Sequence, residues 1–252
     1  MSAVSMTEWT EEASPRFKAR MAGLLYLIVG VAGGFAEVFV RDRLVVSGDA
    51  AATATNILAH ESLYRFGGVA DLIGLAGDTA LALIFYALFR PVSRSLSLLA
   101  AFFRLVFVAV MAANTVNHFA ALILLGGARG PSTFTAAQLQ TQARVALRLH
   151  AVGYNIALVF FGVACLLLGI LIYRSTFMPR LVGILAAIAG IGYLINSFVH
   201  LLAPSFGAYG FKYILVPCGM GELVLILWLA VMGVNNQRWK ERAGAAIDAP
   251  RL

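Results

Sequence analysis

The chain has 252 residues, of which 61% are hydrophobic and 12% charged, with a mean hydropathy of +0.86. An ordinary soluble domain carries about 25% charged residues, and no soluble fold of this size could bury so much apolar surface. A net charge of +7 would suggest nucleic acid as partner for a soluble protein. Here the lysines and arginines flank apolar blocks, as in loops that stay inside and contact anionic headgroups, so the composition argues against a nucleic-acid partner.

The chain opens on a polar segment, 1–20, that ends in Arg16, Lys18 and Arg20. Six apolar blocks follow, at 21–40, 66–89, 96–125, 151–173, 181–202 and 214–234. Each reaches the ~20 residues that a helix needs to cross ~30 Å of hydrocarbon. The first lies behind a polar stretch and exceeds the 7–15-residue core of a signal peptide, so it reads as a retained span. Cys165 and Cys218 both fall inside apolar blocks and read as buried free thiols.

Basic residues concentrate in the N-terminal segment, in the short turns (Arg90, Arg94; Arg174, Arg180) and in the C-terminal tail, 236–252 (Arg238, Lys240, Arg242, Arg251). The longer loops carry Arg41, Arg43, Arg65, Arg129, Arg144, Arg148 and Lys212 over many more residues. By the positive-inside rule both termini are expected in the cytoplasm, in a multi-pass protein of the bacterial inner membrane. The loops 49–64 and 133–149 have helical composition and polar openings suited to N-caps, and are expected as two helices on the outer surface.

Setting Arg65 against His150 aligns two segments of one plan, with a period of about 85 residues. Each has a surface helix, an outer-end Arg or His, a glycine three residues on (Gly68, Gly153) and a span ending in Arg90 or Arg174. Each then returns through a span that ends in Asn and His: Asn117 and His118, or Asn196 and His200. The match reads as a parallel internal repeat, or as chance. Small residues at packing spacing, Gly30 and Gly34 on the first span and Gly183, Ala187 and Gly190 on the fifth, suggest close helix contacts.

Ionisable groups at membrane depth need a partner or a wet cavity. Asp78 lies ~18 Å along its helix from Arg90, and Arg104 lies ~15 Å from Arg94 on the next span, at 1.5 Å per residue. Equal depth predicts an Asp78–Arg104 ion pair. A second set gathers towards the outer leaflet: Glu37, Asp71, Asn117, His118, His150, Asn155, Asn196, His200 and Glu222, with Asn114 beside them. Converging in one bundle, these side chains would line a polar pocket that binds, senses or transports a small molecule or ion.

The same residue types suit a catalytic zinc site, for which His118, His150 and His200 are the candidate ligands of an intramembrane hydrolase acting on a lipid-like substrate. No His-Glu-x-x-His spacing supports that alternative. Haem held by His118 and His200 is a weaker one, and c-type haem is excluded because no Cys-x-x-Cys-His motif is present. A structural or assembly role needs none of these ligands. No P-loop, dinucleotide fingerprint or nucleophile elbow occurs.

The segments Ala22 to Ile28 (Ala-Gly-Leu-Leu-Tyr-Leu-Ile), Tyr64 to Gly67 (Tyr-Arg-Phe-Gly), Arg90 to Arg94 (Arg-Pro-Val-Ser-Arg) and Pro217 to Glu222 (Pro-Cys-Gly-Met-Gly-Glu) carry a resemblance. On these the chain resembles, over roughly residues 16–236, a bacterial family of multi-span membrane proteins known as a domain of unknown function. The resemblance implies membrane topology and supplies no catalytic residues. The expected fold is thus all-α, a polytopic six-span helical bundle with two outer surface helices.

Overall fold

A computed structural model describes residues 14–127 and 133–248, with 204–213 and 247–248 described by backbone only. Residues 1–13 of the expected N-terminal tail, Arg129, and 249–252 with Arg251 lie outside the described residues, as does the side chain of Lys212. Every regular element among the described residues is helical. Six helices are long and apolar enough to cross a membrane, and the chain is a multi-pass helical membrane protein whose surroundings are lipid.

Helix α1 (Pro15–Leu44) starts where Ser14 Oγ accepts from Phe17 N at 3.2 Å, with Pro15 in the first position, where its missing N–H costs nothing. Its stretch Phe35–Arg41 winds as a π-helix, and the backbone N–H of Asp42 donates to Glu37 O. The left-handed turn at Gly48 (φ +86°) follows, and Asp49 caps α2 (Ala50–Ala59) by accepting from Ala52 N at 2.8 Å. His60 breaks the helix, and α3 (Glu61–Phe89) begins at once. Helix α4 (Arg94–Gly127) returns after a tight turn.

Helix α5 (Ala136–Arg174) is one rod of 39 residues. At 1.5 Å per residue it is ~58 Å long, nearly twice the hydrocarbon thickness. The second expected surface helix is therefore not a separate element but the first part of the fourth span. The physical reason is local: a reciprocal capping pair, Thr135 N to Gln138 Oε1 (2.8 Å) and Gln138 N to Thr135 Oγ1 (3.3 Å), starts the helix. No Pro or Gly then interrupts it before Gly153.

Helices α6 (Arg180–Leu202) and α7 (Pro204–Leu227) follow, α7 ending in a π-turn at Trp228–Met232 and in Gly233 at φ +67°. Helix α8 (Asn236–Asp248) closes the described chain. Lipid is as apolar as leucine, so helix association rests on close van der Waals packing. A Cβ on Gly183 would lie 2.6 Å from Tyr173 N, and one on Gly190 would lie 2.6 Å from Gly162 O, so α5 and α6 touch backbone to backbone. Gly34 does not share that role, because a Cβ there would meet nothing.

The chain divides into two compact units. Unit 1 comprises 1–27, 78–107 and 158–252, and unit 2 comprises 28–77 and 108–157. Unit 2 has an apolar core in which Ile57 of α2 packs with Val40, Leu44, Tyr64, Leu125 and Ala146. Unit 1 packs Leu81, Leu88, Leu171, Leu225 and Leu229 out of contact with lipid.

Candidate functional site

In unit 2 the π-helical stretch of α1 carries Glu37 and Arg41, and α3 supplies Asp71. Arg41 Nε donates to Glu37 Oε2 at 2.6 Å, while Nη1 and Nη2 reach the two oxygens of Asp71 at 2.6 and 3.3 Å. A guanidinium suits this task because its planar fork engages a carboxylate with two donors and still offers a third elsewhere. The Asp71 and Arg41 side chains are 7% and 12% exposed, but Glu37 is 37% exposed. The site thus sets two carboxylates against one guanidinium and keeps one carboxylate accessible.

The two histidines of unit 2 are used differently. The ring of His118 stacks on that of Tyr64, with centroids 4.0 Å apart and planes within 5°. His118 Nε2 donates to Tyr64 O at 3.0 Å, and the Tyr64 hydroxyl donates to His118 O at 2.9 Å, so each side chain holds the other's backbone. With the Nε2 proton given to a carbonyl, Nδ1 is the acceptor nitrogen, and it has no hydrogen-bond partner among the described residues. A second reciprocal pair joins α4 to α5: Asn114 Nδ2 donates to His150 O at 2.9 Å, and His150 Nδ1 donates to Asn114 O at 3.3 Å. Asn117 Nδ2 adds a bond to Asn114 Oδ1 at 3.0 Å.

Two glycines make room for these locks. A Cβ on Gly68 would sit 2.9 Å from His118 Cδ2, and one on Gly153 would sit 2.2 Å from Asn114 Oδ1. They are the glycines that the repeat alignment pairs, and side chains of α4 fill both gaps: Phe119, whose Cζ would lie 2.6 Å from a Gly68 Cβ, together with His118, and Asn114 at Gly153.

Unit 1 carries its own polar cluster. Arg104 on α4 binds the Asp78 carboxylate of α3 through Nε at 2.9 Å and through Nη2, with both side chains buried. The guanidinium carbon lies 4.7 Å from the centre of the Tyr26 ring and 5.4 Å from those of Phe85 and Phe161, so aromatic faces replace water around the cation. Glu222 on α7 accepts from the hydroxyl of Tyr26 and, at 2.6 Å, from that of Tyr193. Cys165 Sγ also reaches Glu222 Oε1, at 3.7 Å.

Of the residues expected in one outer pocket, Glu37, Asp71, Asn117, His118, His150 and Asn155 belong to unit 2, and Asn196, His200 and Glu222 to unit 1. Asn155 Nδ2 turns back to Ala151 O at 2.9 Å, and His200 Nδ1 donates to Asn196 O at 3.0 Å within its own helix. The rings of His118 and His150 are 5.9 Å apart. Among the described residues, however, no group of three His, Cys, Asp or Glu side chains is placed to hold a metal ion. His118, His150 and His200 form no such group.

Sequence reasoning missed Arg41 as the centre of the triad, because it was counted with the loop cations. The signal was present: an acid and an arginine four residues apart on a helix attract each other, and two acids at membrane depth call for a cation. Tyr26, Tyr193 and Cys165, the partners of Glu222, give no comparable signal beyond the general need of a buried hydroxyl for a bond.

An uncharacterised protein of Archaeoglobus fulgidus is 29% identical over 175 residues, which cover 68% of this chain and 85% of that protein. No solved structure matches the chain. A family model described as "Domain of unknown function (DUF4386)" matches residues 21–233, and the chain belongs to that family.

Proposed function

We propose that the protein binds a small cation or cationic molecule at the Glu37–Arg41–Asp71 triad, for sensing or for passage across the membrane. The observation that carries this reading is the imbalance of the triad: two carboxylates share one guanidinium, and the accessible one, Glu37, holds Arg41 through a single nitrogen. An incoming cation can take over Glu37 while Arg41 keeps its two bonds to Asp71, so occupancy requires no buried charge to lose its partner. A π-helical stretch at the binding residues fits the same reading, since such inserts occur often at functional sites.

In this reading the protein sits in the bacterial inner membrane with both termini in the cytoplasm, as the basic turns favour, and the triad opens to the outer side. The test is a melting series of the purified full chain in sodium, potassium and methylammonium chloride at constant ionic strength. A ligand present at 100 times its dissociation constant stabilises the folded state by about 2.7 kcal/mol. One of these cations should raise the melting temperature of the wild type, and the Glu37→Gln variant should melt normally yet ignore it. A wild type and variant that respond identically to every cation would sink the reading and leave a scaffold role.

A further inference from the structure

An open cavity of about 720 Å³ lies in unit 1, between the turn that links α3 to α4 and the helix α8. Arg90 and Arg94 line it from the turn, Arg242 from α8, and Tyr86, Ser93 and Trp239 complete its polar and aromatic wall. Among the described residues no acidic side chain lines it, and none of the three arginines has an ion-pair partner. Among the described residues Arg41, Arg65 and Arg104 hold a carboxylate, and what distinguishes Arg90, Arg94 and Arg242 is that all three converge on one cavity.

The cavity walls are fixed in place. The Trp239 indole N–H donates to Leu88 O at 2.7 Å, Arg238 Nη1 donates to Thr176 O at 3.2 Å, and Arg16 N donates to Asn236 Oδ1 at 2.8 Å. Helix α8 is thereby tied to the end of α3, to the α5–α6 turn and to the start of α1. Ser93 Oγ accepts from Leu96 N at 3.4 Å and caps α4, whose 34 residues direct the positive end of their dipole to the same place.

We propose that this cavity binds the phosphodiester headgroup of an anionic phospholipid. Guanidinium forks match phosphate oxygens, and basic pockets beside spans on the cytoplasmic side are suited to such headgroups. The volume falls in the range of small-molecule sites. Tyr86 and Trp239 are of the type that sits at headgroup level, with an apolar body and a polar edge. The cavity adjoins the ends of spans, where a lipid reaches it from the bilayer without leaving its leaflet. A soluble phosphate ester would share the chemistry but would have no need of that position.

Native mass spectrometry of the full chain, offered phosphatidylglycerol, phosphatidylcholine or inorganic phosphate, tests the assignment. The wild type should retain phosphatidylglycerol in clear preference to phosphatidylcholine, and the Arg90→Gln/Arg242→Gln variant should lose at least about tenfold of that affinity. Arg65→Gln, which removes a cation paired with Glu61 in unit 2, should leave the preference unchanged. Arg94→Lys, which keeps the charge and loses the fork, should weaken binding by less, and it serves if the double variant does not fold. Equal retention of both lipids, no effect of the arginine substitutions, or displacement of the lipid by millimolar phosphate would each overturn the proposal.

Discussion

The two units bury polar groups by opposite strategies. In unit 1 every member of the cluster spends its capacity on another: Arg104 on Asp78 and three aromatic faces, Glu222 on two tyrosine hydroxyls and a thiol. In unit 2 the polar side chains mostly lock backbones, His118 with Tyr64 and His150 with Asn114, while the charged triad keeps a half-exposed carboxylate. A sealed cluster resists hydrocarbon by mutual satisfaction and has nothing left for a ligand. A cluster with an accessible acid can exchange partners. That contrast is what favours unit 2 over unit 1 as the proposed site.

The largest expected effect comes from breaking the sealed cluster at its ion pair. Arg104→Leu leaves Asp78 as a buried acid without its cation, a change that costs about 3–5 kcal/mol. The double variant Asp78→Leu/Arg104→Leu removes both charges and should recover most of that loss, because an apolar pair is at no disadvantage in hydrocarbon. Reversible unfolding in mixed micelles gives the three free energies of this cycle. A double variant as unstable as the single one would mean that the pair supplies more than mutual neutralisation, and the description of unit 1 as a closed support would fail.

A middle-sized effect is expected in unit 2, at the glycine beneath the Asn114–His150 lock. A methyl on Gly153 would meet Asn114 Oδ1 at 2.2 Å, so Gly153→Ala must displace the amide and should cost about 1–3 kcal/mol as an overpacked contact. Pairing it with Asn114→Ala, which removes the obstructing atom, should recover part of the loss. Additive costs would show that the lock is not what requires the glycine.

These residues also show what a linear sequence can convey. Hydropathy displays the spans directly, since the lipid requirement acts on each segment by itself. Depth along a helix is equally local, and Asp78 and Arg104, at similar depth on consecutive spans, are in the structure the ion pair of unit 1. Gly68 and Gly153 stood out through their matched spacing, but which side chains fill the gaps they leave is a tertiary fact. Arg41 was harder to place because a π-helical stretch extends α1 past the apolar block to Leu44, and so carries a residue that reads as loop into the helix. The fusion of the second surface helix with the fourth span follows from missing breakers, a signal weaker than the polarity that suggested a boundary. Tyr26 and Tyr193 lie 196 and 29 residues from Glu222, and no periodicity links positions so far apart.

The smallest effect, and the finest comparison, concerns those tyrosines. Tyr193→Phe removes the donor at 2.6 Å from Glu222 Oε2 but leaves the Tyr26 hydroxyl and the Cys165 thiol on the other oxygen. Polar contacts within membranes average about 0.6 kcal/mol in double-mutant cycles and reach roughly 1.7. A single Phe substitution should therefore cost within that range. The double variant Tyr26→Phe/Tyr193→Phe should cost more than the sum of the two singles, because Glu222 then loses both hydroxyls and keeps only a weak thiol donor. Super-additivity in the unfolding free energies would mark Glu222 as a group that must be satisfied, which is what a sealed support requires. Strict additivity would mean that water already reaches Glu222, and unit 1 would then rival unit 2 as the place where a ligand is held.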